Sequence, residues 1–162
     1  MMKRIISLAL AAALLTASLC ACGGQDKQVD LAAFAQTVLE RFPMMNRADP
    51  ADEDEGAVML DNYYPGLRDM DLAQVEVYLA KSSFSGVELA LVQAKNAGDT
   101  ARVKEIFDAR VTLKSTDGPN NYPEEVELWQ RCAAVASNGS YVMLVNCEDS
   151  AAIVDEFNAL FS

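Results

Sequence analysis

The sequence has no histidine, a single tryptophan and 7% aromatic residues in its 162 positions. Without histidine the Ser-His and Cys-His nucleophile pairs cannot be built, and the commonest metal ligand is missing. Positive charge is scarce too, with 13 Lys+Arg against 24 Asp+Glu and a formal net charge of −11. That balance excludes nucleic acid as a partner, because phosphate binding needs clustered cations. The one long apolar run, residues 5–19, falls short of the ~20 residues that a resident transmembrane helix needs. What remains, 51% hydrophobic and 23% charged, is the composition of one ordinary globular domain.

The apolar run follows Lys3 and Arg4 and ends in small residues, the pattern of a secretory signal. Its end, Leu19-Cys20-Ala21-Cys22, resembles the bacterial lipobox, with a branched residue at −3 and a small one at −1 before an invariant cysteine. Cys22 is then the lipidated residue; the competing choice, Cys20, would put Leu19 at −1, where Gly, Ala or Ser is preferred. The resemblance implies a diacylglyceryl group on the Cys22 sulfur, and with it a bilayer as partner on the extracytoplasmic face. The organisation expected is a signal over residues 1–21, a tether over 22–29 and one domain over 30–162. Fully extended, residues 23–29 span about 20–25 Å, so the domain works close to its membrane.

Asp30 ahead of Leu31, Phe34, Ala35, Val38 and Leu39 predicts a capped first helix that stops by Pro43. Residues 44–56 carry Asp52-Glu53-Asp54-Glu55 and no apolar period, so a mobile loop is expected there, followed by a short helix over 57–64. Val75, Val77 and Leu79 alternate with polar or small neighbours, as do Val87, Leu89 and Leu91, and the two runs predict a hairpin. A helix through Val103, Ile106, Phe107 and Val111 follows, then one from Pro123 through Trp129 that Asn138-Gly139 ends. Residues 141–145 are apolar on both faces, as in a strand covered on both sides, and Ile153 to Phe161 give a closing helix. The fold class expected is α+β: a small, largely antiparallel three-stranded sheet covered by helices, in the order α-α-β-β-α-α-β-α.

This pattern, together with Gly98-Asp99, Asn121-Tyr122-Pro123-Glu124-Glu125 and Gly139-Ser140-Tyr141-Val142, resembles lipoproteins of anaerobic Gram-positive bacteria that share the domain of unknown function 4358. The resemblance implies no activity, ligand or catalytic residue; it carries over only the lipid on Cys22.

Candidate chemistry is sparse, and no catalytic residue, cofactor or metal is expected. Residues 52–55 fail the EF-hand pattern, since with Gly56 at position 6 the first and twelfth positions would be Ala51 and Asn62. Carboxylates such as Glu76 and Glu88 are abundant, but spacing nominates no pair for glycosidase-type work. Asn62-Tyr63-Tyr64-Pro65-Gly66 places two aromatics at a turn, where they could stack on a sugar or peptide or, more plainly, pack one ring on the core with its hydroxyl in water. Cys132 on a helix and Cys147 well along a strand are expected to be free thiols too far apart to join. The reading preferred is a non-catalytic binding module at the cell envelope, with an envelope protein or ligand as partner. The alternatives are a carboxylate hydrolase and an accessory subunit of a membrane complex.

The anchor is tested by replacing each cysteine in turn. Cys22→Ala should release the protein from membranes or leave unprocessed precursor, whereas Cys20→Ala should do neither; labelling by a fatty-acid analogue that persists in the Cys22 variant would overturn the assignment.

Overall fold

The computed structural model describes residues 27–43, 45–82, 85–116 and 122–162. The signal, Cys20, Cys22 and most of the tether lie outside the described residues. Helix α1 (Leu31–Leu39) starts where the sequence places it: Asp30 is extended and its carboxylate accepts from the Ala33 amide at 3.0 Å. There follow β1 (Met45–Arg47), α2 (Gly56–Tyr63), β2 (Leu72–Ala80), β3 (Glu88–Ala94) and a 3-10 turn over Ala97–Asp99. The chain continues with α3 (Thr100–Lys114), α4 (Pro123–Cys132), β4 (Ala134–Asn138), β5 (Tyr141–Asn146) and α5 (Ser150–Ala159). Among the described residues no helix is long and apolar enough to cross a membrane.

The α+β class holds, but the sheet has five antiparallel strands, ordered β1-β2-β3-β5-β4, rather than three. Both extra strands sit at its edges. Strand β1, inside the expected loop, needs only backbone pairing of Met45, Asn46 and Arg47 with Ala80, Leu79 and Tyr78, so it leaves no apolar period to read. Strand β4 lies where α4 was expected to continue. The helix instead stops at Cys132, Ala133 turns extended (φ −61°, ψ 132°), and Ala134–Asn138 folds back on β5. Asn138-Gly139 is therefore hairpin chemistry, not a helix stop: Gly139, at φ +55°, takes the first of two loop positions, where a left-handed residue suits the strand twist.

Side chains alternate between two cores. Tyr78, Leu89, Leu91, Met143 and Val145 face α1 and α5, while Val77, Ala90, Val92, Val142 and Leu144 face α2, α3 and α4. All six residues of β5 are buried, as a strand apolar on both faces requires. Cys132 and Cys147 are free thiols. The packing expected around them does not hold, however: the helix ends at Cys132 and β4 brings the chain straight back along β5 with Ala134 opposite Val145.

The acidic segment is not a structureless loop either. The Asp52 carboxylate accepts from the amides of Asp54 and Glu55 at 3.2 Å each, and its carbonyl accepts from Ala57 at 2.7 Å. Glu53 meets Arg68 at 3.2 Å. Side-chain-to-backbone bonds thus replace the missing apolar anchor. Gly56 closes the segment on Asp49, so tightly that an added Cβ would lie 2.0 Å from the Asp49 carbonyl oxygen. Asp52→Ala should therefore cost about 1 kcal/mol in chemical denaturation, as loss of a helix cap does, and Asp54→Ala less than about 0.5 kcal/mol.

Candidate functional site

Glu88 opens β3 on the side chain parity of Ala90 and Val92, so its carboxylate points into the core under α2, α3 and α4. A lone charge there would be untenable. Helix α3 resolves it by repeating its inward spacing Val103, Ile106/Phe107 and Arg110, whose guanidinium meets Glu88 in a bidentate fork at 3.0 and 2.7 Å. The Tyr64 hydroxyl, carried in by α2, donates to the same carboxylate. Side-chain exposures of 7% for Arg110 and 4% for Glu88 make this a buried ion pair with both carboxylate oxygens engaged.

Aromatic rings enclose the cation. The Arg110 guanidinium lies 4.3 Å from the Tyr63 ring centre and 5.5 Å from that of Trp129, and Phe107 meets the Tyr64 ring edge-on at 5.4 Å. A second ion pair, Lys114–Glu125 at 2.7 Å, joins α3 to the first turn of α4. Glu125, in the first turn, thereby serves the positive helix end and a partner as well. Gly86 lets the β2–β3 turn press against α4: at φ +64°, it has no room for a Cβ, which would lie 2.9 Å from Glu125 Cγ and 3.4 Å from Trp129 Nε1.

These groups surround a cleft of about 180 Å³ whose walls include Tyr63, Gly86, Glu88, Arg110, Tyr122 and Glu125. Tyr63 and Tyr122 are exposed at its rim. Beside Gly86 the buried Trp129 Nε1 and Asn146 Oδ1 have no hydrogen-bond partner among the described residues, although Asn146 Nδ2 donates to the Gly86 carbonyl at 2.7 Å.

The two tyrosines singled out in the sequence thus divide: Tyr63 is at the rim, and Tyr64 is fully buried, its hydroxyl on Glu88 rather than in water. Glu88 and Glu125 come together in one cleft. Glu76 does not join them. It lies on the opposite face, held by Arg47 at 2.9 Å and by the Tyr78 hydroxyl at 2.8 Å. Among the described residues no group of three or more acidic or cysteine side chains is arranged to hold a metal, residues 52–55 included. Arg110, Lys114 and Glu125 are the members that sequence reasoning missed. For Arg110 the signal was present: a charged residue continuing the inward stripe of an otherwise ordinary amphipathic helix.

The fold and cleft define a class: a helix-covered antiparallel sheet with a charged, aromatic-rimmed pocket at one end. The chain belongs to the family described as Domain of unknown function (DUF4358), whose model matches residues 48–147, more than half its length. That span includes every residue of the cleft named above. No curated protein and no solved structure matches the chain.

Two predictions follow from the buried charges. Arg110→Met, which strands Glu88 in the core, should lower stability by about 3–5 kcal/mol, and the double variant Glu88→Leu/Arg110→Met should recover part of the loss in denaturant titration. Burial holds the Tyr64 hydroxyl well above the ordinary phenol range, with the charge of Glu88 adding to it; burial and the Glu76 bond push Tyr78 up to about 12. A raised folded-state value means that the fold favours the neutral phenol. Its contribution is complete below the unfolded value of 10.0 and is lost as pH climbs through about 12. Tyrosinate absorbance should therefore show Tyr64 ionising only with unfolding, and Tyr78→Phe should reduce the loss of stability in this alkaline window.

Proposed function

We propose that this protein is a lipoprotein held on the extracytoplasmic face of a cell membrane through Cys22, and that its domain is a non-catalytic module that binds a peptide segment of an envelope protein in the cleft at Arg110. The observation that carries the binding reading is the cleft's composition. Tyrosine and arginine are among the residues that dominate protein-binding hot spots, and here Tyr63, Tyr122 and Arg110 converge on one small cavity, with Trp129 buried behind Arg110. Tyr63 and Tyr122, exposed at the rim, give a peptide two aromatic faces to pack against beside the charged groups of the cleft.

Orientation supports the anchor and the cleft together. The Val29 amide donates to the Tyr141 hydroxyl at 3.1 Å, and its carbonyl accepts from Gln74 at 2.8 Å, so the chain enters the domain near the start of β2. Ala80, at the other end of β2, is in the cleft wall, about 26 Å farther along the strand. A tether on the first end leaves the cleft facing away from the bilayer.

One observation favours a second reading, an envelope hydrolase: Glu88 and Glu125 share the cleft, as paired-carboxylate chemistry requires. Their engagement with Arg110 and Lys114 favours binding over proton transfer.

Site-specific photocrosslinking in intact membranes separates these readings. A crosslinker at Tyr63 should capture one discrete protein partner, whereas one at Asp155, exposed on α5 across the sheet, should not. Equal capture from both faces, or none from Tyr63, would overturn the proposal. A partner that is cleaved by wild type and spared by Glu125→Gln would establish the hydrolase instead.

A further inference from the structure

Cys132 is the last residue of α4 and Cys147 the first after β5. Between them the chain makes one tight hairpin, pairing Asn138 with Tyr141 and Ala134 with Val145. Two residues beyond that last pair lie, on one side, Cys132 at the end of the helix and, on the other, Cys147 just after the strand. One step farther lies the side-chain pair Arg131–Glu148, a bidentate bridge at 2.7 and 2.8 Å that ties the two segments together beyond the cysteines. The thiols are thus bracketed, with a hydrogen-bonded ladder on one side and a salt bridge on the other. The Cα atoms of the last ladder pair, Ala134 and Val145, lie roughly 4.5–5.5 Å apart as in any antiparallel pair, and the cysteines between that pair and the Arg131–Glu148 bridge are held in segments that a disulfide can join.

We propose that Cys132 and Cys147 are an oxidisable pair, the site of an intramolecular disulfide that fastens the end of α4 to the end of β5. The two thiols differ in access. Cys132 is half-buried, whereas Cys147 is 1% exposed, packed in the core of α1 and α5 and held through Ser150. Burial pushes the Cys147 thiol up, and the charge of Cys132 is among those it feels. Order of reaction follows from that difference. With a disulfide as oxidant, whether a small molecule or an oxidoreductase, the Cys132 thiolate attacks one oxidant sulfur, the oxidant's S–S bond breaks, and its other sulfur leaves as a thiolate that takes up a proton. Cys147, giving its proton to solvent, then attacks the Cys132 sulfur and expels the second oxidant thiolate. In balance, the two protein thiols lose two protons and two electrons, and the oxidant is reduced to two thiols.

The bond would act next to the cleft. Trp129 lies one helical turn before Cys132, and Asn146 is adjacent to Cys147. Both contact the Gly86 turn in the cleft wall. Trp129 is also the sole tryptophan of the chain, so it reports on the bond directly.

The test is native oxidation of the full chain with oxidised glutathione, followed by alkylation and chymotryptic digestion without reduction, since cleavage at Tyr141 separates the two cysteines. The expected result is a loss of two hydrogens, a linked Cys132–Cys147 fragment pair that separates on reduction, and quenching of Trp129 emission that dithiothreitol reverses. Cys147→Ala should instead stop at a stable glutathione adduct on Cys132, without the quenching. A persistent adduct in wild type, failure to react, or a link that forms only in denaturant would each overturn the proposal.

Discussion

The end of the sheet that carries the cleft is organised around one constraint: the carboxylate of Glu88 is inside the protein. An ionised group there is tolerable only if both oxygens are hydrogen-bonded, and three donors, one from Tyr64 and two from Arg110, meet them. Each donor sets a position. Arg110 fixes how far α3 slides along β3, and Tyr64 fixes where α2 ends. The bulk of the guanidinium then demands flat neighbours, which Tyr63 and Trp129 supply, and the start of α4 fits beside the β2–β3 turn because residue 86 lacks a side chain, whose Cβ would lie 2.9 Å from Glu125 Cγ. Apolar packing alone would permit several helix placements over Ala90 and Val92; the charge selects one.

Legibility in the sequence followed the strength of local pattern. Helix α1, strands β2, β3 and β5 and helix α5 have clear periods or caps, and the structure has them near the expected places. Strand β1 is three residues long and held by backbone bonds, which no side-chain period reports. Strand β4 fails for another reason: Ala134, Ala136 and Ser137 are small residues that suit helix or strand, so Asn138-Gly139 decides the matter, and that dipeptide both ends helices and turns hairpins. Tertiary pairing with β5 settled the ambiguity. The site was legible in half. Tyr63 and Tyr64 stand out as adjacent aromatics, but Glu88 reads as a strand-face carboxylate until one counts its parity with Ala90 and Val92, and its partner is 22 residues away in sequence.

The same misread strand had a consequence out of proportion to its length. With α4 running to Asn138, Cys132 would sit in mid-helix, out of step with Cys147; with α4 stopping at Cys132, the cysteine becomes the hinge from which β4 returns. A hinge of this kind has two neighbourhoods. Upstream, Glu125 lines the cleft and Trp129 packs beside Gly86, and downstream, β4 forms the sheet edge next to β5, so any force on the α4–β4 junction is felt at both.

That junction is held differently from the floor of the cleft. The floor is locked by a doubly bonded ion pair between β3 and α3, whereas α4 is held by the Lys114–Glu125 pair at its start, by Trp129 packing in its middle and by the exposed Arg131–Glu148 pair at its end. An exposed pair contributes little, typically under about 1 kcal/mol, so the C-terminal end of α4 depends mainly on Trp129 packing, the Gln130–Ser115 hydrogen bond and the β4 ladder that follows. Since Trp129 lies one turn from that end and contacts Gly86, a small displacement there reaches the cleft wall before it reaches the Glu88–Arg110 floor. The cleft thus joins a base fixed by a buried ion pair to a wall fixed by packing and turn contacts, and a partner or a covalent tie at the α4–β4 junction acts on the wall first.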